Sequence, residues 1–153
     1  SVNLLGPFYL IRAALPYLRA TRGKIINIST GAAVKVIQGW SAYCAAKAGF
    51  VHPTRVLAAE EQQITAVSLR PGVVDTAMQE RIRQVGPKMM PPQKAAYFQE
   101  LKETGKLEAP SVPARSAAWL ALHAPADWSG ELLDYDDPRI TEPAKNAFPA
   151  SID

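Results

Sequence analysis

Residues Lys24–Thr30 read KIINIST, a short run rich in β-branched side chains with a glycine on either side. This length and composition are typical of a buried strand. A second such run, Ile64–Arg70, ends at a Pro-Gly pair, and an alanine-rich helix from Ser41 to about Glu61 is predicted between the two. Strand, helix and strand at these lengths predict a βαβ unit, in which the two strands run parallel.

Further elements flank this unit. Residues 1–20 have the apolar spacing of a helix. After the second strand the pattern predicts three helices, the last with Ser111 as its N-cap, and then a short strand: Thr76 to about Gln84, Gln93–Thr104, Ser111–Leu122 and Gly130–Tyr135. The tail after Pro138 has weak periodicity, which predicts an irregular surface segment. Because no linker divides the chain, we expect residues 1–153 to form one α/β domain.

The composition excludes several classes of protein. With 48% hydrophobic and 20% charged residues, the chain is typical of an ordinary globular domain. The net charge is +3 and the basic residues are scattered, which argues against a nucleic-acid partner. A single cysteine indicates a reducing compartment, and no apolar run reaches the roughly 18 residues of a membrane span. We therefore expect a cytoplasmic protein, with no membrane partner. No histidine has a partner at metal-ligand spacing, so no metal site is predicted.

Tyr43 and Lys47 are four residues apart in the central helix and therefore lie on one face, one turn apart. A free phenol has a pKa near 10, and a neighbouring positive charge favours its phenolate. The pair therefore predicts a tyrosine that acts as a general acid when a carbonyl is reduced, or as a base when an alcohol is oxidised. The alternative is a pair of amphipathic side chains that extend from the helix surface into solvent.

Together with this pair, Asn3, Thr30 and the run Pro71–Thr76 resemble the catalytic and nicotinamide-side motifs of the short-chain dehydrogenase/reductase family. The resemblance extends from Asn3 to about Tyr135 and is closest to the sepiapterin reductases and their fungal relatives. It implies the C-terminal part of a Rossmann-like, doubly wound parallel sheet with flanking helices. The Gly-rich half that seats the cofactor in this family has no counterpart here, so we expect roughly 100 further residues upstream of this sequence.

The resemblance implies a catalytic role for four residues. Tyr43 is the proton donor, Lys47 is its activator and a ribose ligand, and Asn3 holds a water that relays protons. Thr30 stands where the family usually has serine, and its hydroxyl would polarise the substrate carbonyl. Ser29 is the competing candidate, on the opposite face of the strand; the spacing of thirteen residues to Tyr43 favours Thr30. Either hydroxyl could instead end the strand through local hydrogen bonds.

The resemblance also implies binding residues. The nicotinamide end of the cofactor would contact Pro71, Gly72, Val74 and Thr76, although a plain turn followed by an N-cap explains these residues almost as well. Residues 77–110 correspond to the segment that forms the substrate lid in the family.

Two aromatic or acidic residues are further candidates for substrate binding. Trp40 comes three residues before Tyr43, and we expect its ring to line the binding pocket of an aromatic substrate. Asp134 resembles the carboxylate that anchors the pterin ring in sepiapterin reductase, although an acidic surface turn explains it as well.

The implied function is NAD(P)H-dependent reduction of a small carbonyl compound, such as a ketone, a diketone or a pterin-like ketone, to an alcohol. NADP(H) rather than NAD(H) is the expected cofactor, and a homodimer or homotetramer is the expected assembly. The alternative is a truncated, inactive family member that keeps only a dimerisation surface, formed by the helices of residues 1–20 and 41–61.

Overall fold

The computed structural model describes residues 2–148. Within them, a three-stranded parallel sheet of order β1-β2-β3 is flanked by six α-helices. The elements follow one another as α1 (Leu5–Thr21), β1 (Lys24–Ile28), α2 (Ser41–Glu60), β2 (Thr65–Arg70), α3 (Ala77–Met89), α4 (Pro92–Glu103), α5 (Ser111–His123), β3 (Leu132–Asp134) and α6 (Pro138–Ala147).

The predicted βαβ unit is confirmed. β1 and β2 pair in parallel, with Lys24 opposite Thr65, and β2 pairs in parallel with β3 on its other edge. Along β2 successive side chains alternate between the two faces of the sheet, and all those from Thr65 to Leu69 are buried. The sheet is therefore covered on both faces, as a doubly wound α/β fold requires.

The two faces are covered to different degrees. α5 and α6 pack on one face and form a cluster of fully or almost fully buried side chains that includes Val67, Leu69, Leu120, Leu133 and Ile140. α1 and α2 cover the other face with a smaller cluster, in which the buried residues are Ile25, Ile64 and Ala66. α1 itself contains no buried residue.

A buried polar network attaches α2 to the sheet. Thr54 in α2 accepts a hydrogen bond from the amide of Asn27 in β1, at 2.7 Å, and donates to the carbonyl of Phe50 at 3.1 Å. Ser68 in β2 donates to the same Thr54 oxygen at 3.3 Å. The sequence suggests that Asn27 ties strand to strand; the structure shows that it ties a strand to a helix.

Several predicted boundaries need correction. The tail after Pro138 is not irregular: it forms α6, because Ile140 and Ala144 lie four residues apart on one face and are both buried against α5. The residue at the N-cap position of α5 is Pro110, and Ser111 is the first helical residue.

α3 is longer than predicted, and β3 is shorter. α3 runs to Met89, beyond the predicted end at about Gln84, and the buried Gly86 lies against the side chain of Met90. β3 keeps only Leu132–Asp134 of the predicted strand.

Candidate active site

A cavity of about 340 Å³ lies at the carboxyl end of the sheet. Thr30 follows β1, Arg70 ends β2 and Asp134 ends β3, and all three line this carboxyl-end cavity. The pair α3 and α4 supplies the opposite wall through Gln79, Lys94, Tyr97 and Phe98. In open α/β sheets, ligands bind outside the carboxyl ends of the strands. The topology therefore places the candidate residues where a ligand is expected.

Tyr43 lies in the first turn of α2 and is half-buried. It lines a neighbouring cavity of about 370 Å³, the tyrosine cavity, together with Trp40. The Trp40 ring meets the Tyr43 ring edge-on, with centroids 5.7 Å apart, and stacks on Phe98 from α4, also at 5.7 Å. Because Trp40 lines both cavities, Thr30 and Tyr43 lie in adjacent spaces that share this indole, rather than in one cavity.

Lys47 is held by the end of β1. Its ammonium donates a hydrogen bond to the carbonyl oxygen of Ile28 at 2.9 Å. Burial of the side chain lowers the pKa of Lys47 from its ordinary value. The cation is thus fixed by the backbone of the sheet, one helical turn beyond Tyr43.

The structure distinguishes the two adjacent hydroxyls. Thr30 lines the carboxyl-end cavity, and its Oγ1 accepts a hydrogen bond from the backbone N–H of Ala32 at 3.3 Å. A hydroxyl that accepts this bond keeps its own O–H to donate to a ligand. Ser29 is only 4% exposed, and its Oγ has no hydrogen-bond partner among residues 2–148. The bond from Ala32 is the local hydrogen bond that the alternative reading of Thr30 requires. It leaves the Thr30 O–H available as a donor.

Asn3 is exposed and precedes α1. It is not among the residues that line either cavity. Its neighbour Leu4 lies against Gly49, where an added Cβ would be 3.7 Å from the Leu4 methyl groups. The relay role of Asn3 stays a prediction.

The Pro-Gly turn after β2 is shaped by Tyr135. Gly72 has a φ of +75°, and a Cβ at this position would lie 2.6 Å from the Tyr135 ring. The Tyr135 hydroxyl donates to the Glu108 carboxylate at 2.6 Å, and this hydrogen bond, followed by burial, raises the pKa of Tyr135 to about 12. Only glycine meets both requirements at position 72.

The two ends of the α3–α4 segment meet at a parallel bridge between Val74 and Glu108. Asp75 donates its N–H to the Glu108 carbonyl, and Glu108 donates its own to the Val73 carbonyl, each at 2.9 Å. Lys102 forms an ion pair with Asp75 at 2.8 Å. Thr76 occupies the N-cap position of α3, but its hydroxyl donates backwards to Val74 at 3.3 Å and does not cap the helix.

Asp134 forms an ion pair with Arg70 at 2.5 Å. The carboxylate that the resemblance assigns to pterin binding is therefore already engaged with a cation. Arg70 and Gln79, together with Lys94, are cavity residues that the sequence patterns do not single out. Arg70 is marked only by its position before the Pro-Gly turn, and the other two look like ordinary polar residues of helices.

The chain has been compared with known protein families. Residues 1–86 match the family model described as short chain dehydrogenase. The chain belongs to this family. It is 39% identical to the benzil reductase ((S)-benzoin forming) of Saccharomyces cerevisiae over 146 residues, which are 92% of this chain and 56% of the relative. It is 34% identical to the sepiapterin reductase of Bos taurus over 110 residues, 70% of this chain and 40% of the relative.

Solved structures show the same fold. A short chain dehydrogenase/reductase from Saccharomyces cerevisiae matches with a TM-score of 0.88 at 39% identity, over 92% of this chain and 56% of that one. A putative NAD(P)-dependent gluconate 5-dehydrogenase from Beutenbergia cavernae, with NADP bound at low occupancy, matches with a TM-score of 0.73 at 25% identity, over 92% of this chain and 55% of that one. The chain spans a little over half the length of the first relatives that it matches.

Two kinds of feature are absent from residues 2–148. In this part of the chain no group of three or more His, Cys, Asp or Glu residues is arranged to hold a metal ion. None of its helices is long and apolar enough to cross a membrane.

Proposed function

We propose that the chain is the catalytic part of an NADP(H)-dependent oxidoreductase that reduces a ketone, diketone or pterin-like carbonyl to an alcohol in the cytoplasm. The observation that carries this proposal is the Tyr43 and Lys47 pair on α2, with Lys47 held by the Ile28 carbonyl, beside the cavity that Thr30 lines. The names of the benzil and sepiapterin reductases support a carbonyl substrate, and the relative with NADP bound supports the cofactor.

Residues near the start of α3 fit the nicotinamide end of such a cofactor. Because Thr76 does not cap α3, the first amides of the helix remain available as donors, and the Thr76 side chain is itself exposed. We assign Pro71, Gly72, Val74 and Thr76 to this contact, with Tyr43 and Lys47 on the ribose side. When bound, NADPH supplies the hydride that reduces the carbonyl carbon.

The residues of the chain handle the proton and the developing charge. Thr30 donates its O–H to the carbonyl oxygen and so stabilises negative charge there. Tyr43 then transfers its hydroxyl proton to that oxygen as general acid, and the Lys47 ammonium stabilises the phenolate that remains. Trp40 borders both cavities and is the surface against which an aromatic substrate would lie between Thr30 and Tyr43.

Replacing Tyr43 by Phe tests this proposal. We expect turnover of a diketone substrate, followed by NADPH absorbance, to fall by about 10²- to 10⁴-fold, since the general acid is lost. NADPH binding, followed by fluorescence in the same preparation, should persist. Tyr17→Phe is the matched control, because Tyr17 is a 76% exposed tyrosine of α1. Unchanged turnover in Tyr43→Phe would refute the assigned role.

A second candidate is the inactive family member that keeps only a dimerisation surface. The observation in its favour is an apolar groove of about 330 Å³ between α1 and α2, lined by Phe8, Leu15 and Val56 among others. This candidate predicts a dimer that forms without nucleotide and that Phe8→Glu dissociates, both measurable by sedimentation velocity. A strictly monomeric wild-type profile would contradict it.

A further inference from the structure

The walls of the carboxyl-end cavity carry an excess of positive charge. Lys35, Arg70 and Lys94 line it, against Asp134 as the one carboxylate among its lining residues in the described part of the chain. The ion pair with Asp134 neutralises Arg70, which leaves the two lysines as the surplus. The Nζ of Lys94 lies over the Tyr97 ring, 4.8 Å from the ring centroid.

Two polar atoms of residues that line the cavity lack partners. The Nε of Arg70 and the Oε1 of Gln79 are buried and make no hydrogen bond within residues 2–148. Gln79 is about nine-tenths buried as a residue. A half-turn of the Gln79 amide exchanges its oxygen for the NH₂ group, so each of the two side chains can present an N–H donor to a ligand. Buried donors without partners are costly unless a ligand satisfies them.

The remaining wall is aromatic. Trp40 and Phe98 stack on one another, and Tyr97 meets Phe98 edge-on with centroids 5.4 Å apart. All three line the cavity. A flat, apolar ring is the group that such a wall accommodates best.

We propose, building on the reductase function above, that this cavity selects aryl ketones that carry a carboxylate on the ring. The Thr30 hydroxyl would donate to the carbonyl oxygen, and the cations that line the cavity would bind the carboxylate. The aromatic wall holds the ring between them.

Equilibrium binding to the full 153-residue chain tests the proposal, with 4-acetylbenzoate and its uncharged methyl ester as matched probes. Isothermal titration calorimetry without NADPH measures both affinities. We expect the acid to bind about five- to tenfold more tightly than the ester, since two partly exposed cations are worth about 1 kcal/mol. About 0.5 M salt should reduce this preference.

Lysine variants test which cations cause the preference for the acid over the ester. The double variant Lys35→Gln, Lys94→Gln should bring the ratio of the two affinities close to one, whereas Lys88→Gln, which removes an exposed lysine outside the cavity lining, should leave the ratio unchanged. Equal affinities of acid and ester in the wild type, no binding of either probe, or a preference that survives the double variant would overturn the proposal. Because these affinities are measured without NADPH, they test the cavity assignment independently of turnover, which the Tyr43→Phe comparison tests.

Discussion

The two faces of the sheet differ in how completely their helices close them. On the α5–α6 face, Leu120, Leu133 and Ile140 are almost completely excluded from solvent. On the α1–α2 face, no side chain of α1 is fully buried, and Phe8, Leu10 and Tyr17 remain exposed. The face with the weaker cover also carries Tyr43 and Lys47 on α2.

This difference separates stability from chemistry. Buried apolar area is the main stabilising contribution to a fold, so the α5–α6 face supplies most of it. α2 depends more on directed bonds, namely the Thr54 network inside the sheet and the bond from Lys47 to Ile28. These bonds fix the orientation of α2, while contributing less free energy than the packed face.

One substitution made on both faces tests the contrast most strongly. Leu120→Ala in α5 should lower the free energy of unfolding by about 3 kcal/mol, because it leaves a cavity in a closed cluster. Leu15→Ala in α1 should cost only about 1 kcal/mol, because this side chain is already partly hydrated. Urea denaturation of both variants measures the two values. Equal losses would show that the faces contribute alike.

A pair of glycines tests the turn that adjoins the cavity. Gly72→Ala places a methyl group against the Tyr135 ring at a positive φ, and we expect a loss of about 2 to 3 kcal/mol in thermal or urea unfolding. Gly105→Ala has a similar φ of +64° but nothing within 4 Å of its Cβ, so it should lose only about 1 kcal/mol. The difference between the two losses in free energy of unfolding measures the cost of the steric contact with the Tyr135 ring. Equal losses would mean that the ring moves aside freely.

The smallest effect concerns pH. Since the hydrogen bond to Glu108 raises the pKa of Tyr135 to about 12, above the value of 10 for a free tyrosine, its stabilisation is complete below pH 10 and is lost as the pH rises through 12. The stability advantage of wild type over Tyr135→Phe should therefore shrink across this range in urea titrations. Tyr17→Phe is the control. The same pH dependence in both variants would contradict the assignment.

Much of the fold can be predicted because the spacing of apolar residues along a segment follows the side of the strand or helix that is buried. The runs around Ile25 and Val67 are β-branched and short, and the structure has a strand at each. α6 is not predictable in this way, because only Ile140 and Ala144 of its ten residues are buried, too few to produce a visible period. α6 forms because these two side chains pack against α5, so the helix depends on tertiary contacts rather than on local sequence.

The site is predictable in part for a related reason. Tyr43 and Lys47 lie on one helix, so their spacing alone gives their relative position. Trp40 and Phe98 are far apart in the sequence, and no local pattern indicates that their rings stack. The engagement of Asp134 by Arg70 is likewise set by the pairing of β2 with β3, and that pairing decides which carboxylates remain free.

The bridge between Val74 and Glu108 means that the α3–α4 segment leaves the body of the protein and returns to it at one point. A segment with coincident ends can change in length or sequence without displacing the strands. Residues 77–107 can therefore be regarded as an exchangeable cassette. Grafting the corresponding segment of a relative between these two anchor residues would change the lining of the carboxyl-end cavity while β1, β2 and α2 stay in place.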